Sequence, residues 1–190
     1  MKNLMWVAVA LLTLSLASCG NKQQKASNDA AGDQKESVMQ IDDLLSNAEA
    51  LVGKTVKIEG VCTHTCKHGA KKMFLMGSDD KNVVRVEAGK LGAFDTKVVN
   101  SVVQVDGILK ETRIDEAYLQ NLEAQQGIEK ADSHEEESCE HENQANGTTA
   151  TTMEGTIAQY RAKIAERKEK TGKDYLSIYY VEAEDYEIQN

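Results

Sequence analysis

From residue 98 to residue 114 the chain alternates. Val103, Val105, Gly107 and Leu109 fall on one side, and Val102, Gln104, Asp106 and Ile108 on the other. Successive side chains leave a strand on opposite faces, so a period of two predicts a strand. The same period holds over 54–65, where Val56 and Ile58 alternate with charged residues and Gly60 permits a bulge or bend. Residues 72–77 and 82–88 are two short β-rich runs. Gly77-Ser78-Asp79-Asp80 between them is turn chemistry, so they read as a hairpin. A last strand is predicted over 175–188, with Leu176, Ile178 and Tyr180 alternating against Ser177, Tyr179 and Val181. Five strands in this order, the first bent at a glycine and the fourth long, are the pattern of a small closed barrel.

Helical spacing interrupts the strands. Ile41, Leu44, Leu45, Ala48, Leu51 and Val52 form a stripe over 40–52, with Asp42 or Asp43 able to cap its start and Gly53 placed to end it. Asp115 caps a second helix carrying Tyr118, Leu119 and Leu122 and ending near Gly127. In a third, Thr151 and Glu154 fit a capping box, and Met153, Ile157, Tyr160 and Ile164 give the apolar stripe. Lys168 and Lys170 suit its negative end, and Gly172 its stop. Between these helices the chain is polar, with seven acids against one lysine from Glu129 to Glu142, so 127–152 reads as an acidic, disordered loop.

The formal charge is −9, an unfavourable balance for non-specific nucleic-acid binding, which depends on clustered cations. At the start, Lys2 precedes a largely apolar run over 4–16. At about 1.5 Å per residue this run is too short to span a hydrocarbon core of about 30 Å. It ends in Leu16-Ala17-Ser18-Cys19, which resembles a bacterial lipoprotein lipobox. The resemblance implies that 1–18 is a signal peptide and that Cys19 is lipidated, palmitate included. It further implies an extracytoplasmic protein held at the cell envelope by its lipid. Residues 21–37 carry no large apolar side chain. They read as a flexible tether with a reach of roughly 20–25 Å. The domain proper is then 38–190, one domain by size.

The run V-G-K-T-V-K-I-E-G-V from Val52, with V-V-N-S-V-V-Q-V-D-G-I-L from Val98, resembles an OB-fold, and in particular the periplasmic and lipoprotein OB-fold group. The fold class expected is mainly β with added helices: a five-stranded OB-like barrel, an N-terminal helix, and a helical insertion before the last strand. OB-folds usually place their helix between strands three and four; here the helices fall between strands four and five. The resemblance implies binding of an oligosaccharide or nucleic acid along the first strands and their loops. Lys67, Lys71 and Lys72 form a small basic patch there, with Phe74 beside it. A solvated hairpin edge, where lysines blunt strand pairing, explains the same lysines.

Cys62, His64, Cys66 and His68 form the run C-T-H-T-C-K-H, and His134, Cys139 and His141 a second cluster. With Cys19 they are every cysteine and histidine in the chain. Thiolates and imidazoles suit Zn or Cu, so a metal site of Cys62, His64, Cys66 and His68, joined by Cys139 and His141, is one reading. A Cys62–Cys66 redox pair is another, and ordinary barrel and loop residues a third. In a straight strand the first four share a face, yet about 20 Å separates Cys62 from His68, far beyond metal–ligand bonds of about 2.0–2.3 Å. A single site requires the chain to turn after the strand, and Gly69 makes 67–72 the place for that. No phosphate loop, nucleophile elbow or paired-carboxylate pattern appears, so the expectation is a binding protein and not an enzyme.

Overall fold

The computed structural model describes residues 37–67, 69–129 and 140–189, with the backbone alone at 126–129, 140 and 141. The leader, Cys19, the tether through residue 36, His68, His134 and Cys139 lie outside the described residues.

The alternating runs build a wall of five strands: β2 (Thr55–Thr65), β3 (Lys72–Met76), β4 (Val83–Glu87), β5 (Val102–Ile114) and β6 (Leu176–Gln189). Strand β2 pairs antiparallel with β3, and β3 with β4. Strand β4 runs parallel to β6, β6 antiparallel to β5, and β5 returns antiparallel to β2. The wall thus closes on itself, and short β1 (Met39–Gln40) adds to β2 in parallel. This is an OB-like closed barrel, mainly β with added helices. Val103, Val105 and Leu109 of β5 face inward and are fully buried, as their alternation predicts.

Helix α1 (Ile41–Leu51) plugs one end of the barrel with Ile41, Leu44 and Ala48, all 0% exposed. Burial of each larger aliphatic side chain of this kind contributes about 1.5–3 kcal/mol. Gly60 serves this packing, and the β2–β5 register runs through it without a bulge. A Cβ there would stand 2.8 Å from Ile41 Cγ1 and 2.9 Å from the Met76 carbonyl oxygen. The residue at the helix start is Gln40, and neither Asp42 nor Asp43 caps it. Asp42 instead accepts hydrogen bonds from Ser78 N (2.8 Å), Ser78 Oγ (2.9 Å) and Asn82 Nδ2 (2.6 Å), tying α1 to the β3–β4 turn. Gly53, at φ +79°, ends the helix as its position predicts.

Strand β5 begins at Val102, later than alternation suggests. Residues Thr96–Val98 form a 3-10 turn capped by the Asp95 carboxylate, which accepts from Lys97 N. That turn and Phe94 bury Val98 against the core. Beyond the barrel β5 and β6 continue as a ribbon, from Glu111 opposite Tyr179 to Ile114 opposite Leu176. Helices α2 (Glu116–Glu129) and α4 (Met153–Thr171) pack there over a second cluster of Ile114, Leu119, Ile157 and Tyr160. Asp115 caps α2 through Tyr118 N at 2.8 Å. The cap of α4 is Thr152, one residue after the one expected, with Oγ1 accepting from Gly155 N at 3.1 Å. Gly172 closes α4 in the left-handed conformation. Within 127–152, where composition predicts only a loop, α2 runs on to Glu129 and a short helix α3 (Glu140–Ala145) forms. No helix among the described residues is long and apolar enough to cross a membrane.

Candidate ligand face

The C-T-H-T-C segment does not stay on one face. The register between β2 and β3 shifts between Cys62 and His64: Cys62 lies opposite Leu75, and His64 opposite Phe74. The extra residue changes the phase of the strand. Cys62, ahead of the shift, keeps the inward phase of Val56 and Ile58 and lies in the barrel core, fully buried, with Sγ near the His64 carbonyl oxygen at 3.5 Å. Burial pushes its thiol pKa up, against weaker lowering by hydrogen bonds to backbone. His64 stands on the outer face, its ring stacked on Phe74 at 6.1 Å between centroids. Cys66 lies past the strand end, where the chain does turn: Ala70 N donates to the Cys66 carbonyl and Cys66 N to the Lys72 carbonyl. Gly69 and Ala70 take positive φ there. No disulfide joins Cys62 to Cys66. Among the described residues no group of three histidine, cysteine or acidic side chains converges as a metal site would require. The side chain of His141 is not among those described, and its backbone opens α3.

The outer face of β3 and β4 carries a cluster that composition did not reveal. Lys72, Phe74 and Arg85 alternate with core residues, so all three face away from the barrel interior. Parallel pairing sets Arg85 opposite Tyr180, and the guanidinium lies 4.9 Å from that ring's centre. Helix α3 packs across β3 and β4. Its Glu142 carboxylate lies 2.5 Å from Lys72 Nζ and 3.8 Å from Arg85 Nη1. Arg85 Nη1 also donates to Asn146 Oδ1 at 3.0 Å. Arg85 Nε is buried, with a Glu87 oxygen 3.2 Å away but out of line for a hydrogen bond. The Arg85 side chain is 12% exposed, so these contacts form in a partly dried environment.

Beside this cluster an open depression of about 410 Å³ is lined by Lys71, Lys72, Glu87, Ala88, Gly89 and Gly92. Lys67 and Lys71 are exposed, and Lys72 is half-buried. Phe74, placed beside the basic patch as a candidate ligand contact, is 0% exposed. Arg85, Tyr180, Glu142 and Asn146 escaped the sequence reading. Arg85 showed only as the polar position of an alternating V-V-R-V-E run, and its partners lie 57 to 95 residues away.

No family model and no curated protein matches the chain. Among solved structures, a putative aspartyl-tRNA synthetase from Leishmania major Friedlin aligns at 22% identity with a TM-score of 0.29. The alignment covers 46% of this chain and 18% of that one.

Proposed function

We propose that this chain is a lipid-anchored, extracytoplasmic binding protein whose barrel holds an acidic oligosaccharide on the outer face of β3 and β4. The observation that carries the reading is the Glu142 carboxylate seated between Lys72 and Arg85: the face accepts an acid group. Arginine and lysine converging on one carboxylate are the usual recognition chemistry for uronic acids and other anionic sugars. Lys71 and Lys67 extend the cationic track toward the rim. Single-stranded nucleic acid is the less favoured ligand. It calls for clustered cations that release counterions from a polyphosphate backbone, and the formal charge of this chain is −9.

The test is calorimetric titration of the mature protein with oligogalacturonate and, separately, with an oligo-dT strand. Oligogalacturonate binding that weakens at least tenfold in Lys71→Glu/Lys72→Glu is the expected result. Binding indifferent to both substitutions, or tighter binding to oligo-dT, rejects it.

Soft-metal binding is the second reading, and the turn after Cys66 favours it. Cys66 N bonds the Lys72 carbonyl, and the Lys72 amine reaches Glu142, next in sequence to His141. Cys66, His68, Cys139 and His141 remain the candidate ligands for Zn or Cu, without Cys62. Metal analysis after zinc loading separates them: Cys66→Ser lowers the bound metal, while Cys62→Ser leaves it unchanged.

A further inference from the structure

We infer that α3 is an intramolecular competitor for this face, and that ligand binding requires Glu142 to leave its seat between Lys72 and Arg85. The inference rests on the reading of the face as an acid-binding site and adds its regulation.

Four observations carry it. First, the resident contact is chemically a ligand contact: an acid group from elsewhere in the chain, 70 residues from Lys72, meets the two cations of the face. Second, the fit is incomplete. Arg85 offers a planar fork of donors, yet Glu142 stands 3.8 Å from Nη1 and buried Nε has no aligned acceptor. A carboxylate free to approach the fork side-on satisfies more donors than Glu142 does. Third, α3 is only six residues long, and a helix of that length has no independent stability in water. Its position depends on what it packs against, so losing the face loosens it. Fourth, its C-terminal side is anchored independently. Tyr160 Oη donates to the Asn146 carbonyl, and Gln159 Oε1 accepts from Thr148 Oγ1 and Thr149 N. Those bonds belong to α4 and survive when Glu142 lets go, so α3 swings on a fixed turn and does not detach.

Release also changes the chemistry of the face. Phe74 points outward and is fully buried with α3 packed on its strand, and the His64 ring stacks on it. Moving α3 uncovers an aromatic surface beside two cations, which suits one face of a sugar ring and its acid group. The closed state therefore hides both halves of the site, and the apparent affinity is the open-state affinity multiplied by the open fraction.

The test compares wild type, Glu142→Gln and Asn146→Ala as mature proteins, each checked for folding by its thermal melt, with oligogalacturonate as the probe. Glu142→Gln removes the competing charge and Asn146→Ala the second tie to Arg85. Both are expected to tighten binding, on the order of tenfold for Glu142→Gln. Amide exchange at 140–145 in wild type is expected to speed up on adding the probe. Equal affinity in all three proteins, with exchange unchanged, overturns the competitor role while leaving the binding face intact. Absence of binding in all three, Glu142→Gln included, overturns the acid-binding reading and the competitor with it.

Discussion

Gly107 lies where β5 changes register against β6, between Asp106 and Gly107. A Cβ there would stand 2.5 Å from the Glu182 carbonyl oxygen and 2.7 Å from Val181 Cγ1, and backbone cannot move aside as a side chain can. Gly107→Ala should therefore destabilise the barrel by about 1–3 kcal/mol, read as a lower urea midpoint with unchanged slope. The two cysteines make an opposite pair at the same scale. Cys62 is sealed in the core with its thiol pushed up in pKa, whereas Cys66 is partly exposed at a turn. Alternation read them as neighbours on one face. One extra residue in β2 separates them, and a bulge of one residue leaves no mark in composition.

At the scale of elements, α2 and α4 are held by charge as well as by their apolar cluster. Arg161 donates from Nη2 to Glu116 (2.6 Å) and from Nη1 to Glu123 (2.7 Å), and these bonds hold both carboxyls below their ordinary value of 4.5. A lowered folded-state pKa gives stability that is present above 4.5 and is lost as pH falls through the folded value. Thermal midpoints should therefore drop on acidification below that point, and less steeply in Arg161→Gln. Tyr160 has the opposite sign. Burial, then the neighbouring Tyr118, pushes its hydroxyl from 10.0 to about 12. Its contribution is complete below pH 10 and is lost between 10 and 12, so Tyr160→Phe should flatten the alkaline arm of the melting curve. The helices themselves were legible because their stripes and glycine stops are local. The caps at Gln40 and Thr152 were displaced from the readings because capping geometry follows where the chain enters the helix.

For the whole molecule, the anchor proposed at Cys19 predicts that wild type partitions into the detergent phase and that Cys19→Ala moves to the aqueous phase. Detergent-phase recovery of Cys19→Ala would sink the anchor. The strand order closes the barrel by pairing β4 with β6 in parallel, and that pairing brings Arg85 to Tyr180, 95 residues apart in the chain. What the sequence determined by itself is the part written at short range: five alternating runs, the hairpin turn, three helical stripes and the inward faces of the strands. Burial on one side imposes a period that neighbouring residues share, so the barrel could be read without coordinates. Only the tertiary structure decided the bulge after Cys62, the close approach at Gly60, the place of α3 and the pairing of Glu142 with Lys72 and Arg85. Those depend on contacts between separate segments, from Gly60 against Ile41 to Arg85 with Asn146 and Lys72 with Glu142, 61 and 70 residues apart. Such contacts are set by how closed walls and packed helices meet, and they impose no periodicity on either segment.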